Sequence, residues 1–161
     1  MKKLWVTPFV IAFALLLAND IAAAEDLDLL HCYSGTTRFF SHGPIVLVGL
    51  EQKGILTSNH SNKILDAAVV QCEGMQKGAG PTRQGDLLCK IVDQGGDAII
   101  ASIAYAGFDY DVKFIDGTGK WQGVQGSLHS TRTVRSVDGK NGIPDTYQGC
   151  RSERGQFTIV K

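Results

Sequence analysis

The sequence predicts an all-β domain of eight antiparallel strands. Three observations point to it. The segment Phe108-Asp109-Tyr110-Asp111-Val112-Lys113-Phe114 alternates strictly, with aromatic and aliphatic residues on one face and charges on the other, as a half-buried strand requires. Glycine-rich and polar turn signals break the chain at strand-like intervals: all 19 glycines lie after residue 24. No long amphipathic helical pattern and no repeat of fixed period competes with this reading. Spacing alone fits a closed barrel or a sandwich.

Residues 1–24 read as a cleavable export signal. Lys2 and Lys3 form its basic start, Leu4 to Ala18 its apolar stretch, and Ala22-Ala23-Ala24 a small-residue cleavage site, leaving Glu25 at the mature N-terminus. The apolar run is shorter than the roughly 20 residues a spanning helix needs, so no stable membrane span is expected after cleavage. Leu29-Leu30-His31-Cys32 resembles a lipidation site only superficially, because acidic residues separate it from the apolar stretch. Residues 25–161 then form a single domain, long enough to bury a core. The whole chain has a formal net charge of zero, and no basic patch suggests nucleic acid as a partner. The expected location is periplasmic or secreted.

The strands follow turn by turn. Leu29–Phe40 is expected first, ending at Ser41-His42-Gly43-Pro44. Ile45–Thr57 is second, with Gly49 and Gly54 as candidate bulges. Ile64–Glu73 is third, although Ile64–Val70 also fits a helical turn. After a loop over 74–83 come Gln84–Val92, the turn Asp93-Gln94-Gly95-Gly96-Asp97, and Ala98–Ala106. The alternating segment from Phe108 is sixth. A corner built on Gly117, Gly119, Gly123 and Gly126 leads into Ser127–Val137, and Thr146–Val160 closes the set.

Four cysteines, Cys32, Cys72, Cys89 and Cys150, survive cleavage, and an even count in an exported chain suggests two disulfides. Four cysteines allow three pairings. Cys72 and Cys89 lie equidistant from the turn at Gly80-Pro81, so a hairpin sets them opposite each other. Cys32 and Cys150 lie on the first and last strands, which become neighbours if the sheet closes. A metal site is disfavoured: there is no C-x-x-C, and the histidines are scattered. No cofactor is implied.

Gly117-Thr118-Gly119-Lys120-Trp121 with Gly123-Val124-Gln125-Gly126 resembles the glycine signature of small β-barrels related to allene oxide cyclases and dirigent proteins. Cys72-Glu73-Gly74, Gly85, Cys89-Lys90, Asp93 and Gly96-Asp97 resemble a pattern of uncharacterised secreted bacterial members of that group. The resemblance implies an antiparallel eight-stranded up-and-down barrel with an apolar cavity. Gly119-Lys120-Trp121 also matches the G-x-W of lipocalins, but theirs lies on the first strand, and here it follows the sixth.

Candidate functional residues are few. Tyr105, Tyr110 and Phe114 are candidates to line a cavity, with the phenols orienting a ligand; packed core aromatics are the plainer reading. His129 and Arg132 lie on a strand rich in Ser, Thr and Arg, which either lines a partly polar interior or faces solvent. Tyr33 and Arg38 are weaker versions of the same idea. Asp109 and Asp111 share one strand face, as acid–base or cation-binding carboxylates do, and as solvated charges do more often. There is no nucleophile elbow, and Gly117-Thr118-Gly119-Lys120 lacks the spacing of a phosphate loop. No catalytic residue transfers from the resemblance. Three classes of function remain: an exported barrel that binds a small apolar or amphipathic ligand, a cyclase- or dirigent-like isomerase that steers a reactive intermediate, and an envelope structural or interaction protein with a filled barrel.

Overall fold

The computed structural model describes residues 23–78, 82–138 and 143–161, and within these the side chains everywhere except over 131–138. The expected signal falls almost wholly on residues 1–22, outside the described part. Eight strands make the domain: β1 (Glu25–His42), β2 (Ile45–Ser58), β3 (Val69–Lys77), β4 (Gln84–Val92), β5 (Ala98–Ala106), β6 (Asp109–Gly117), β7 (Val124–Asp138) and β8 (Thr146–Ile159). Each pairs antiparallel with the next, and β8 pairs with β1, closing the barrel. Closure leaves no sheet edge along the wall.

Alternation decides which side chains point inward. Leu27 and Leu29 of β1, Leu56 of β2, Val70 of β3, Ile91 of β4, Ile99 and Ile103 of β5, Val112 and Phe114 of β6, Leu128 of β7 and Phe157 of β8 are all buried in one cluster. Both expected disulfides are present. Cys72–Cys89 joins β3 to β4 with a Cα–Cα distance of 4.0 Å, and both residues are buried inside the barrel. Cys32–Cys150 joins β1 to β8, also at 4.0 Å, and staples the seam that closes the sheet. Cys32 shares the outward parity of its strand, so this bond lies on the opposite side of the wall.

Several boundaries differ from expectation. The third strand starts at Val69, not Ile64, and continues through the expected loop as far as Lys77. Lys63, Leu65 and Ala67 have positive φ, which excludes both strand and helix there. The segment instead folds under the barrel, burying Leu65 and Ala68. Phe108 lies in the β5–β6 turn and is exposed, so the sixth strand begins at Asp109. Gly49 and Gly54 are not bulges: the β1–β2 and β2–β3 registers run through them without a shift. The irregularities fall at Ile100/Ala101 and along the β7–β8 pairing.

The glycine corner closes one end of the barrel. Gly119–Trp121 forms a single 3₁₀ turn rather than a bare strand-to-strand corner. Trp121 is buried edge-on against Phe157, with ring centroids 5.5 Å apart, and its indole N–H donates to Asp93 Oδ2 at 2.8 Å. Lys120 Nζ reaches the same carboxylate at 2.7 Å. The Lys120 backbone N–H donates to Asp97 Oδ2, and the Ala98 N–H donates to Thr118 Oγ1. The two sequence patterns are thus one structural unit: the glycine corner lies against the Asp93–Asp97 turn. Gly119 has φ +54°, and a Cβ there would overlap the Asp97 carboxylate, so a side chain at 119 is strained by its backbone and must displace Asp97.

Candidate ligand-binding site

The opposite end of the barrel has a different lining. Continuing inward along β1 beyond Leu29 come His31 and Tyr33; along β8 before Phe157 come Glu153, Arg151 and Tyr147. These share the inward parity of the apolar residues below them, so the core turns polar partway up. All four tyrosines of the chain, Tyr33, Tyr105, Tyr110 and Tyr147, are on this inner face at this end, each half-buried. Beneath them His31, Arg151 and Glu153 are 2–3 % exposed.

Glycines in the wall make room for the rings. A Cβ on Gly35 would stand 2.5 Å from Tyr147 Cζ, one on Gly85 2.7 Å from the Tyr105 hydroxyl, and one on Gly54 2.7 Å from His31 Nε2. Gly35 and Tyr147 are direct cross-strand partners, as are Gly85 and Tyr105. Each ring lies over a position with no side chain, which is how a narrow barrel accommodates large inward groups.

The polar groups form a connected set. Glu153 Oε1 lies 3.1 Å from His31 Nδ1 and accepts the Tyr110 hydroxyl at 2.5 Å. Arg151 stacks over the Tyr110 ring with its guanidinium carbon 4.4 Å from the centroid. Its Nε donates to Ser130 Oγ at 2.8 Å, and a terminal N–H donates to the Phe108 carbonyl at 2.5 Å. His31 meets Tyr33 edge-on at 5.3 Å, and Tyr33 meets Tyr147 edge-on at 6.1 Å. The Tyr105 hydroxyl donates to Gln76 and that of Tyr147 to Gln52. Arg83 stands at the rim, over the rings of Tyr105 and Phe108.

This setting keeps the phenols protonated. Burial raises Tyr110 well above the usual phenol range, and the neighbouring Glu153 charge adds to it. Burial pushes Tyr105 up to about 12 and raises Tyr147 further. Burial also raises Tyr33, with the Arg151 charge pulling the other way. At neutral pH the end therefore presents neutral phenols around a buried arginine and glutamate.

Of the expected lining residues, Tyr105 and Tyr110 belong to this group. Phe114 points inward but sits in the apolar core toward the closed end. His129 points outward, because Leu128 and Ser130 take the inner face of β7. It is exposed and bonded to Asp111 at 2.5 Å. Arg132 is placed on β7 opposite Ser152, but its side chain lies outside the described residues. Arg38 is exposed on the β1–β2 hairpin, and the weaker candidate Tyr33 proves central. Asp109 and Asp111 are both exposed, Asp109 with its carboxylate 4.0 Å from Arg151. The sequence reading missed His31, Arg151 and Glu153. Their parity with Leu27, Leu29 and Phe157 was the available signal.

A depression of about 470 Å³ touches this group at Gly35, Gln52 and Tyr147 but is otherwise lined by outward residues such as Ser34, Thr36, Lys53 and Gln148. A broader groove of about 1460 Å³ runs over the outer face between β1 and β6–β8, past Asp28, Asp111, His129 and Arg154. It is wide open, and its ion pairs are of the exposed kind that contribute little. Among the described residues no three His, Cys, Asp or Glu side chains gather as a metal site.

No protein-family model matches the chain, and no curated protein matches it in sequence. Among solved structures it is similar to a pterocarpan synthase dirigent protein, at 11 % identity and a TM-score of 0.53, over 99 % of this chain and 98 % of that one. At this identity the likeness speaks for the barrel fold alone.

Proposed function

We propose that the protein holds a small amphipathic molecule in the tyrosine-lined end of its barrel. The observation behind this reading is the gathering of four half-buried phenols over a buried His31–Glu153–Arg151 group, while the other end is plugged by Trp121. Buried charges seldom improve stability over an apolar core of equal volume. A barrel serving only as scaffold has no need of them, which counts against the filled-barrel reading. One mouth and convergent polar groups over apolar walls are what a small-molecule site needs.

A second reading, dirigent- or cyclase-like steering of a reactive intermediate, is favoured by the same convergence and by the similarity to a pterocarpan synthase dirigent protein. An exported, oxidising location, periplasmic or secreted, is supported by the two disulfides and by the signal-like start of the sequence. The test is native mass spectrometry of protein recovered from the exported fraction. A bound small molecule released on denaturation, and absent when Tyr33 and Tyr147 are both replaced by Ala, is the expected result. Protein of identical mass in both states, with no tyrosine-fluorescence change across a panel of phenolic and aliphatic compounds, would sink the proposal.

A further inference from the structure

We infer that His31 Nε2 is the proton acceptor for a hydroxyl-bearing aromatic or enolic ligand, with Glu153 as the positioning residue that sets its tautomer. This rests on the reading that the inner group receives a small molecule. Among the described side chains only two buried polar atoms lack a hydrogen-bond partner, His31 Nε2 and Ser58 Oγ. Ser58 lies on β2 at the plugged end, where Asp66 and Lys63 already bond its backbone. His31 lies in the midst of the polar group, 2 % exposed.

The tautomer follows from the partners. A carboxylate only accepts, so the Nδ1 atom 3.1 Å from Glu153 Oε1 bears the proton. Tyr110 donates to the same oxygen and holds that carboxylate in place. That tautomer leaves the lone pair on Nε2, which lies beside Gly54 of β2 with no donor to meet it. A ligand O–H supplies that donor.

The surroundings narrow the ligand. Tyr33 stands edge-on to His31 and Tyr147 edge-on to Tyr33, so a row of aromatic rings runs from the tyrosine end to the imidazole. Arg151 is the direct cross-strand partner of His31 across the β1–β8 seam, with its guanidinium turned to Ser130, Phe108 and the Tyr110 ring. In the step itself the ligand O–H bond breaks and an N–H bond forms at Nε2. The electron pair stays on the ligand oxygen, and the imidazolium charge faces Glu153 through Nδ1–H. A phenol or enol is acidic enough for this exchange; an aliphatic alcohol is not.

4-Nitrophenol, whose phenolate is coloured and whose phenol is not, tests the inference. The wild-type protein is expected to bind it and to show the phenolate band at a pH where free nitrophenol is mostly protonated. His31→Gln is expected to bind it but to lower the ratio of bound phenolate to phenol by at least about tenfold, since the base is gone. Equal ionisation on both proteins overturns the inference and leaves the ligand-binding reading standing. No binding of nitrophenol to wild type overturns the reading and the inference together. A measurement needing no variant at the site guards against misfolding: ¹⁵N NMR of the wild-type imidazole should show the Nδ1–H form. An Nε2–H form in the wild type overturns the assignment.

Discussion

At one end of the barrel Trp121, Phe157 and Leu65 belong to a dry cluster, tied off by one carboxylate, Asp93, that accepts from an indole, a lysine and the Gly95 N–H. At the other end four tyrosines surround an arginine, a glutamate and a histidine. The same eight strands supply both. In the closed end the Asp93 carboxylate gathers its donors into one unit with the glycine corner, and its residues serve to hold the strands in register. In the tyrosine end one buried acceptor is left open and the rings are half-exposed. The contrast teaches that stability and binding are separated along the barrel axis, so that substitutions should sort by end.

The largest effect is expected at the plug. Trp121→Ala should cost about 3–5 kcal/mol, through the lost packing and the cavity left behind, measured by chemical denaturation. A cost under about 1 kcal/mol would remove the plug from the account. Gly119→Val should cost about 2 kcal/mol or more, since a branched side chain in left-handed backbone is strained even before it meets Asp97. An unchanged melting temperature would contradict this.

The two ends should also fail at opposite ends of the pH scale. The phenols have folded pKa values raised above their usual 10, Tyr105 to about 12. The unfolded chain ionises first, so stability is intact below pH 10 and is lost as pH rises from 10 toward 12. Tyrosinate absorbance should therefore appear together with loss of the far-ultraviolet dichroism; ionisation near pH 10 with the fold intact would break the comparison. Asp93 behaves in the reverse sense. Burial alone would raise its pKa, but the bonds from Lys120, Trp121 and Gly95 outweigh it and hold it below its usual 3.8. Its contribution is present above pH 3.8 and fades as pH falls below that value. Asp93→Asn should flatten that acid-side decline, and a decline of unaltered slope would assign it to other groups.

The smallest stability effect is expected at the mouth. Tyr105→Phe and Tyr147→Phe should each change stability by no more than about 1 kcal/mol, because each hydroxyl makes one half-exposed hydrogen bond. They should nonetheless weaken retention of the bound molecule. A large loss of stability from either would merge the two ends into one structural core.

Much of the fold was legible beforehand. Strands Gln84–Val92 and Ala98–Ala106 were readable to the residue because turn signals rich in glycine and aspartate bracket them. Cys72 and Cys89 were readable as partners because a hairpin equates distance from its centre with register. The start of the third strand was not, because Ile64, Leu65 and Ala68 are apolar for burial under the barrel rather than for strand alternation. The site was only half legible. Tyr105 and Tyr110 look like what they are, inward aromatics. His31, Arg151 and Glu153 look like surface residues, since charged side chains are rarely buried, and only the closed register sets them opposite one another.

What the sequence determined by itself is therefore local: the strand pattern, the turns and the cysteine partner across one hairpin. These depend on backbone conformation and on neighbours a few residues away. Cys32 was expected to meet Cys150 only on the condition that β1 meets β8, and tertiary structure alone decided that His31 meets Glu153 across 122 residues. Barrel closure fixes those pairings, and closure is a property of all eight strands together, which no single segment encodes.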